Sequence, residues 1–234
     1  MSVSSLSSPL LRVEDLSVRY AIHSSVLDGL DLEMRRGESI GVFGESGSGK
    51  TTLARAIAGL LPPGAVPSGT VSFRGQTLPN QNSTAWRKLR GSVVAFLSQE
   101  PSISLTPHRR IGSQIAEVIS VHRRSGEEAA LDVLRRFIPQ GTSRIARSYP
   151  HELSGGERQR AAIARAVCCD PELFIADEPT ASLDSIAQRD VLNVFRDLQE
   201  RSGIALLMIS HHRRALSYTT SRQVRLAAGR LEAQ

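Results

Sequence analysis

Eight residues, Gly44-Glu-Ser-Gly-Ser-Gly49-Lys50-Thr51, constrain this chain more than any other feature. They fit the pattern G-x-x-x-x-G-K-[ST], and the flanks are those the pattern requires. Ser39–Phe43 reads as a buried strand, and Lys50 to Leu61 reads as a helix with Leu53, Ala56, Ile57 and Leu60 at helical spacing. Pro62-Pro63-Gly64 is placed to stop that helix. Gly44, Gly47 and Gly49 let the backbone curl so that the N–H groups of Glu45, Ser46, Ser48 and their neighbours point at phosphate oxygens. The helix N-terminus, through Thr52, adds its positive end. Lys50 is then a point charge for the β- and γ-phosphates, and the Thr51 hydroxyl a ligand for Mg²⁺. The competing reading is a Gly-rich turn that merely enters a helix.

A second element separates the readings. Leu173-Phe-Ile-Ala-Asp177-Glu178 is an apolar strand ending in two carboxylates, at the strand end where open α/β sheets place ligands. Phosphoryl transfer needs one carboxylate for the metal and another group to orient and polarise water. Asp177 suits the first task and Glu178 the second. A strand ending in Asp-Glu is by itself equally well a solvated loop, but it gains force beside a phosphate loop.

The chain has 234 residues, room for a core without staples, and its 40% hydrophobic and 22% charged content excludes a disordered or collagen-like chain. The only cysteines, Cys168 and Cys169, are adjacent and read as packing in a reducing, intracellular setting. No run approaches 18 apolar residues, so a soluble protein is expected. The net charge is +6 and the pI near 10.1. From Arg87 to Arg165 there are 14 basic and 7 acidic residues, against 15 and 16 elsewhere. That excess is either solvated helix faces or a docking surface, and it lacks the interleaved aromatics of a base-stacking platform. Only Lys50 and Lys88 are lysines among 29 Lys and Arg residues. A chain that writes nearly every cation as Arg keeps a compact ammonium at position 50.

Around the phosphate loop, Leu11–Tyr20 and Val26–Met34 read as strands joined by a short loop near His23, and Arg36–Glu38 as a turn. Thr70–Gly75 and Val93–Leu97 follow as strands. Then come helices at Ile111–His122, Glu127–Phe137 and Gly155–Val167, a strand at Leu173–Ala176, a helix at Ser185–Arg201 and a strand at Ala205–Ile209, with a final pair within Gln223–Leu231. The expected fold is α/β, with an antiparallel β piece at the front and a helical insertion carrying the basic excess.

Leu153-Ser154-Gly155-Gly156-Glu157 opens the third of those helices. Ser154 can cap it, and the two glycines leave the amides bare, which makes a second anion-binding helix terminus. One nucleotide has no use for two cradles on one chain. A second molecule lending its cradle to the first molecule's γ-phosphate predicts a two-fold pair.

With these residues in place, from about Leu11 to Leu231, the sequence resembles the ATP-binding cassette ATPases. The resemblance implies a RecA-like P-loop NTPase core at 11–100 and 166–234, a helical subdomain at about 101–165, a flexible 1–10, and ATP with Mg²⁺ as cofactors. It implies that Tyr20 stacks on adenine and that Gln99 senses Mg²⁺ and the attacking water. It also implies that Asp184, in Ala181-Ser-Leu-Asp184, crosses the dimer interface and that His211 contacts the γ-phosphate. Catalytic work then falls to Glu178, His211, Lys50 and Gln99, and metal binding to Thr51, Gln99 and Asp177.

Gln99-Glu-Pro-Ser-Ile-Ser-Leu-Thr-Pro107, Tyr149–Gly156 and Leu60–Gly69 are similar to the importers for peptides and nickel within that family. That similarity implies integral-membrane permease subunits, a homodimer or a heterodimer with a paralogous ATPase, and an extracytoplasmic solute-binding protein. The place of such a subunit is peripheral, on the cytoplasmic face of the inner membrane. Two departures stand out. His212 occupies the position where Asp usually follows the histidine, and the chain ends at Gln234 without the C-terminal extension many peptide-importer ATPases carry. The alternative function is a cassette ATPase acting on nucleic acid or ribosomes. Such proteins usually carry a coiled-coil insertion, zinc modules or paired cassettes, which do not fit 234 residues with two cysteines.

Overall fold

A computed structural model describes residues 8–20, 24–78, 83–100, 104–123 and 127–232. Most of the expected flexible N-terminus, the loop near His23, and residues 101–103 of the Gln99–Pro107 run lie outside them. Two sheets form the frame. Strands β1 (Leu11–Tyr20), β2 (Ser24–Met34), β4 (Ala65–Phe73) and β5 (Gln76–Thr77) make an antiparallel sheet in the order β2-β1-β4-β5. The other sheet contains β3 (Ser39–Phe43), β6 (Val94–Leu97), β7 (Leu173–Asp177), β8 (Ala205–Ile209), β9 (Arg222–Ala227) and β10 (Arg230–Glu232). Its order is β10-β9-β3-β8-β7-β6, parallel except for the β9-β10 hairpin.

The parallel strands are apolar runs because both of their faces are covered. Successive side chains of β7 and β8 go to opposite cores. Leu173, Ile175, Leu207 and Ile209 join a core with the antiparallel sheet and α1 (Lys50–Ile57). Phe174, Ala176, Leu206 and Met208 join a core with the helices on the other side. Those helices are α3 (Ile111–Arg123), α4 (Glu127–Phe137), α5 (Thr142–Arg147), α6 (Gly155–Val167) and α7 (Ser185–Ser202). Two short helices, α2 (Thr84–Leu89) and α8 (Arg213–Thr219), and a 3₁₀ turn at Pro150–Glu152 complete the described elements.

Helix α1 ends four residues earlier than the Leu61 expected from periodicity and the following prolines. Gly59 takes φ +66°, its N–H reaches Ala56 O at 3.2 Å, and the Leu60 N–H reaches Arg55 O at 2.7 Å. Those two bonds are a Schellman termination, which satisfies the last carbonyls before the prolines are reached. The indole of Trp86, from α2, closes over the turn. A Cβ at Gly59 would stand 2.4 Å from its ring.

Gly59→Ala therefore combines a left-handed alanine with a steric overlap, an expected loss of roughly 2–4 kcal/mol. Gly64→Ala shares the positive φ (+86°) but meets nothing within 4 Å, so about 1–2 kcal/mol is expected. Urea unfolding of both variants checks this. Equal losses would show that the Trp86 contact contributes nothing.

Candidate active site

The strand order brings three loops together. In register, Val42 of β3 and Asp177 of β7 both face Ile209 of β8, so the chain leaves all three strands at one edge of the sheet. Glu178 N–H donates to Ile209 O at 2.9 Å and Ser210 N–H to Val42 O at 3.1 Å, which prolongs the ladder past the last strand residues.

The loop after β3 is tightly determined. A Cβ at Gly44 would fall 2.2 Å from Leu226 O, and Gly49 takes φ +102° with Val26 O at 2.9 Å from where a Cβ would be. Only glycine fits either position. Lys50, buried at the head of α1, folds its ammonium back to donate to Gly44 O at 2.9 Å and Glu45 O at 2.8 Å. Tyr20, at the end of β1, places its hydroxyl 3.4 Å from Thr52 Oγ1.

Asp177 is buried at the end of β7, and burial pushes its carboxyl above the usual carboxylate range. A hydrogen bond from Thr51 and the positive charges of Arg55 and Lys50 act against that rise, and Glu178 adds to it. Its Oδ1 is buried and lacks a partner among the described residues, as is Ser48 Oγ. Glu178 next to it turns through φ +47°, a left-handed value that costs a non-glycine residue strain. Its side chain is latched from the β8 loop. Oε1 accepts the His211 N–H at 2.9 Å and lies 2.9 Å from His211 Nδ1, while Ser210 Oγ donates to Oε2 at 3.3 Å. The His211 and His212 rings lie 3.8 Å apart at 44°, and His212 N–H donates to Ser210 Oγ at 3.1 Å.

One cavity of about 590 Å³ collects these groups. Tyr20, Ser46, Gly47, Gly49, Lys50, Thr51, Thr52, Gln99, Glu178 and His211 line it, together with Val26, which the sequence did not single out. Gly44, Glu45, Ser48 and Asp177 do not line it; Gly44 and Glu45 reach it through Lys50, and Asp177 through Thr51. Ser210 is the other residue the sequence reading missed. Its only signal was its place between an apolar strand and His211.

Ser154, Gly155, Gly156 and Asp184 do not line this cavity. Ser154 Oγ accepts the Glu157 N–H at 3.2 Å and the Glu157 carboxylate accepts the Ser154 N–H at 3.0 Å, a reciprocal cap on α6. Partial burial raises the Glu157 carboxyl, but the Ser154 amide and Arg144, which pairs with it, carry it below its ordinary value. Asp184 caps α7 by accepting from Ile186 N at 3.0 Å and Ala187 N at 2.9 Å. The two capped termini touch, since a Cβ at Gly156 would stand 3.2 Å from Ala187 Cβ. One chain thus carries the cavity and, apart from it, this pair of capped helix starts.

The donor set suits Mg²⁺. Among the described residues no three His, Cys, Asp or Glu side chains converge on a metal position. An orphaned buried carboxylate oxygen beside a threonine hydroxyl is instead the sparse oxygen set that Mg²⁺ takes when phosphates supply other ligands. Cys168 and Cys169 are buried and unbridged, as packing residues are, and burial followed by its neighbour pushes the Cys168 thiol up to about 12.

Fold and site together define a P-loop nucleotide-binding protein. Residues 27–181 match the family model described as ABC transporter. A probable peptide ABC transporter ATP-binding protein of Sinorhizobium fredii is 39% identical over 96% of this chain and 70% of its own length. The dipeptide transport ATP-binding protein DppD of Escherichia coli is 39% identical over 86% of this chain and 64% of its own length. The oligopeptide transport ATP-binding protein OppD of Mycobacterium bovis is 38% identical, and the chain spans only 38% of it. In structure, cbiO1 of Clostridium perfringens superposes with a TM-score of 0.82 at 26% identity, covering 97% of this chain and 88% of that one. A dimeric cassette described in a post-hydrolysis state, MJ0796, has the same TM-score at 24% identity over 95% of this chain and 96% of that one. The chain belongs to the ABC transporter family and is an ATPase of it.

A buried carboxylate whose folded pKa is raised penalises the fold fully above that pKa; the penalty shrinks as pH falls from the folded to the unfolded pKa and is gone below the unfolded value. Asp177→Asn, without nucleotide or Mg²⁺, is therefore expected to raise the unfolding temperature at pH 8 and to lose that advantage towards pH 4. Thermal scans across pH check this. An unchanged or lower midpoint at pH 8 would show that the native Asp177 charge is fully compensated.

Proposed function

We propose that this chain is the ATP-hydrolysing subunit of a multi-subunit importer for peptides. Two copies, or this chain and a paralogue, close on two ATP molecules, and hydrolysis reopens them. The observation that carries this reading is the separation of the half-sites. The loops after β3, β7 and β8 converge on one cavity, while the capped start of α6 stands apart with Asp184.

The amides of Gly44–Gly49 and the Lys50 ammonium hold the β- and γ-phosphates, and Tyr20 stacks on the adenine. Thr51, Asp177 and Gln99 are the residues that would hold Mg²⁺, which supplies charge neutralisation at the phosphates when bound. Glu178 polarises the attacking water, with His211 and Ser210 fixing its carboxylate and His211 facing the γ-phosphate. Ser154, Gly155 and Gly156 of the partner subunit seal the phosphates from the other side, with Asp184 at the interface.

The cassette spans 11–234, and its helical unit at about 101–165 meets the permease subunits at the cytoplasmic face of the membrane. No helix among the described residues is long and apolar enough to cross a membrane, in keeping with a peripheral subunit. An extracytoplasmic binding protein delivers the solute. The peptide assignment follows the names of the relatives; nickel, the other solute of the resembling importers, is the comparison arm of the test.

Reconstitution with candidate permeases in liposomes should give ATP turnover stimulated by peptides and not by Ni²⁺. In the same vesicles Glu178→Gln should keep ATP binding and lose roughly 10²–10⁴-fold of turnover. Stimulation by Ni²⁺ alone would replace the substrate class, and near-normal turnover in Glu178→Gln would remove that residue from its role.

A further inference from the structure

The residue after His211 departs from the usual pattern, and its side chain goes where an aspartate could not. His212 stands at the N-cap position of α8 and makes no side-chain cap there. Its ring lies instead against the His211 ring, with the centroids 3.8 Å apart and the planes at 44°. The backbone around it is pinned on both sides. The His212 N–H donates to Oγ of the buried Ser210 at 3.1 Å, and the His212 carbonyl accepts the Ala215 N–H at 3.0 Å. Arg213, next in the chain, sets its guanidinium over Phe43 at the end of β3, 4.4 Å from the ring centroid. The His211 side chain is 52% exposed, and its contact with Glu178 is at one ring edge, Oε1 lying 2.9 Å from Nδ1. A ring held at one edge can still turn about that contact, and a second ring packed against it opposes the turn.

We infer that His212 is a positioning residue for His211, holding that imidazole between Glu178 and the nucleotide cavity. With Nδ1 at the Glu178 carboxylate, Nε2 is the ring nitrogen left for the cavity that His211 lines. The carboxylate fixes one point of the ring, and the His212 ring restricts rotation about that point. The start of α8 goes without a side-chain cap in consequence. A hydroxyl or carboxylate at 212 could accept an amide of the first turn, whereas an imidazole turned towards His211 gives up that bond. His212 does not line the cavity, so it acts through His211. Ser210 binds the group together, since its hydroxyl accepts the His212 N–H and donates to Glu178 Oε2 at 3.3 Å. Ser210, His211 and His212 thus form one unit around the carboxylate. This inference rests on the ATPase reading and adds a residue to its hydrolytic side.

The test compares three substitutions in the full chain. His212→Ala removes the ring, His212→Phe keeps a ring, and His212→Ser supplies a helix cap without a ring. With Mg-ATP, His212→Ala is expected to lower kcat roughly three- to tenfold, the scale of one aromatic pair. KM for ATP should stay within about twofold of wild type, because the ground-state contacts are untouched. His212→Phe should recover most of the loss. His212→Ser should raise the unfolding midpoint above that of His212→Ala and leave kcat as low. A kcat restored by Ser and not by Phe makes His212 a structural residue of α8 and overturns the inference, as does wild-type kcat in His212→Ala. If His212→Ala does not fold, the Phe and Ser variants carry the same comparison. Proton NMR of the nucleotide-free chain reads the contact without turnover. The His211 ring signals should move in the Ala and Ser variants and hold in Phe, and signals unmoved by ring removal overturn the inference. Absence of hydrolysis by the wild-type chain, alone and with its membrane partners, would instead count against the ATPase reading.

Discussion

A lysine charge buried at the start of a helix is the constraint around which this molecule is arranged. An ammonium placed there must be met by oxygen on every accessible side. The curl of Gly44–Gly49 supplies the Gly44 and Glu45 carbonyls for that purpose. The curl in turn forbids a side chain at Gly44, where Leu226 of β9 presses in, and at Gly49, where β2 does. The antiparallel sheet and the C-terminal strands are therefore walls of the phosphate loop as well as parts of the core. Beside it, Asp177 Oδ1 and Ser48 Oγ are buried without partners among the described residues. Those atoms have a use only if something polar enters, which is why the site reads as a receptacle rather than as a structural knot.

The different settings of the two adjacent carboxylates follow from where the strand ends. Asp177 sits inside the sheet edge, raised by desolvation and steadied by Thr51. Glu178, one residue on, leaves the strand through a left-handed turn and is held by the loop of the neighbouring strand. Adjacent residues thus reach different places because one is in the sheet and the next is in the strained turn that ends it. The latch ties Glu178 to Ser210 and His211, so whatever moves the β8 loop also moves the carboxylate.

Much of this was legible in the sequence. The parallel strands announce themselves as short apolar runs, and α6 begins where Ser154 and Glu157 form their cap. What the sequence did not disclose depends on contacts made across space. The end of α1 is decided by Gly59 under Trp86, not by the prolines that follow. Short helices such as α2 and α8 carry too few turns to show a period. Ser210 and Val26 gain their places from strand order, and the Arg165–Ser104 bond joins segments with no local signal at either end. Nor could the motifs say that Ser154 and Asp184 share one surface while the phosphate loop faces another cavity.

The central claim is that two copies, each contributing a different half-site, build one catalytic centre. Mixing two inactive variants tests it most directly. Lys50→Ala disables the phosphate loop and leaves the start of α6 intact; Ser154→Arg does the reverse. In a mixed pair, one centre carries both lesions and the other carries neither, so an equal mixture should regain about a quarter of the competent centres and measurable ATP hydrolysis. If the mixture stays as inactive as its components while the wild-type chain hydrolyses ATP under the same conditions, the centre is not shared between molecules and the account is contradicted.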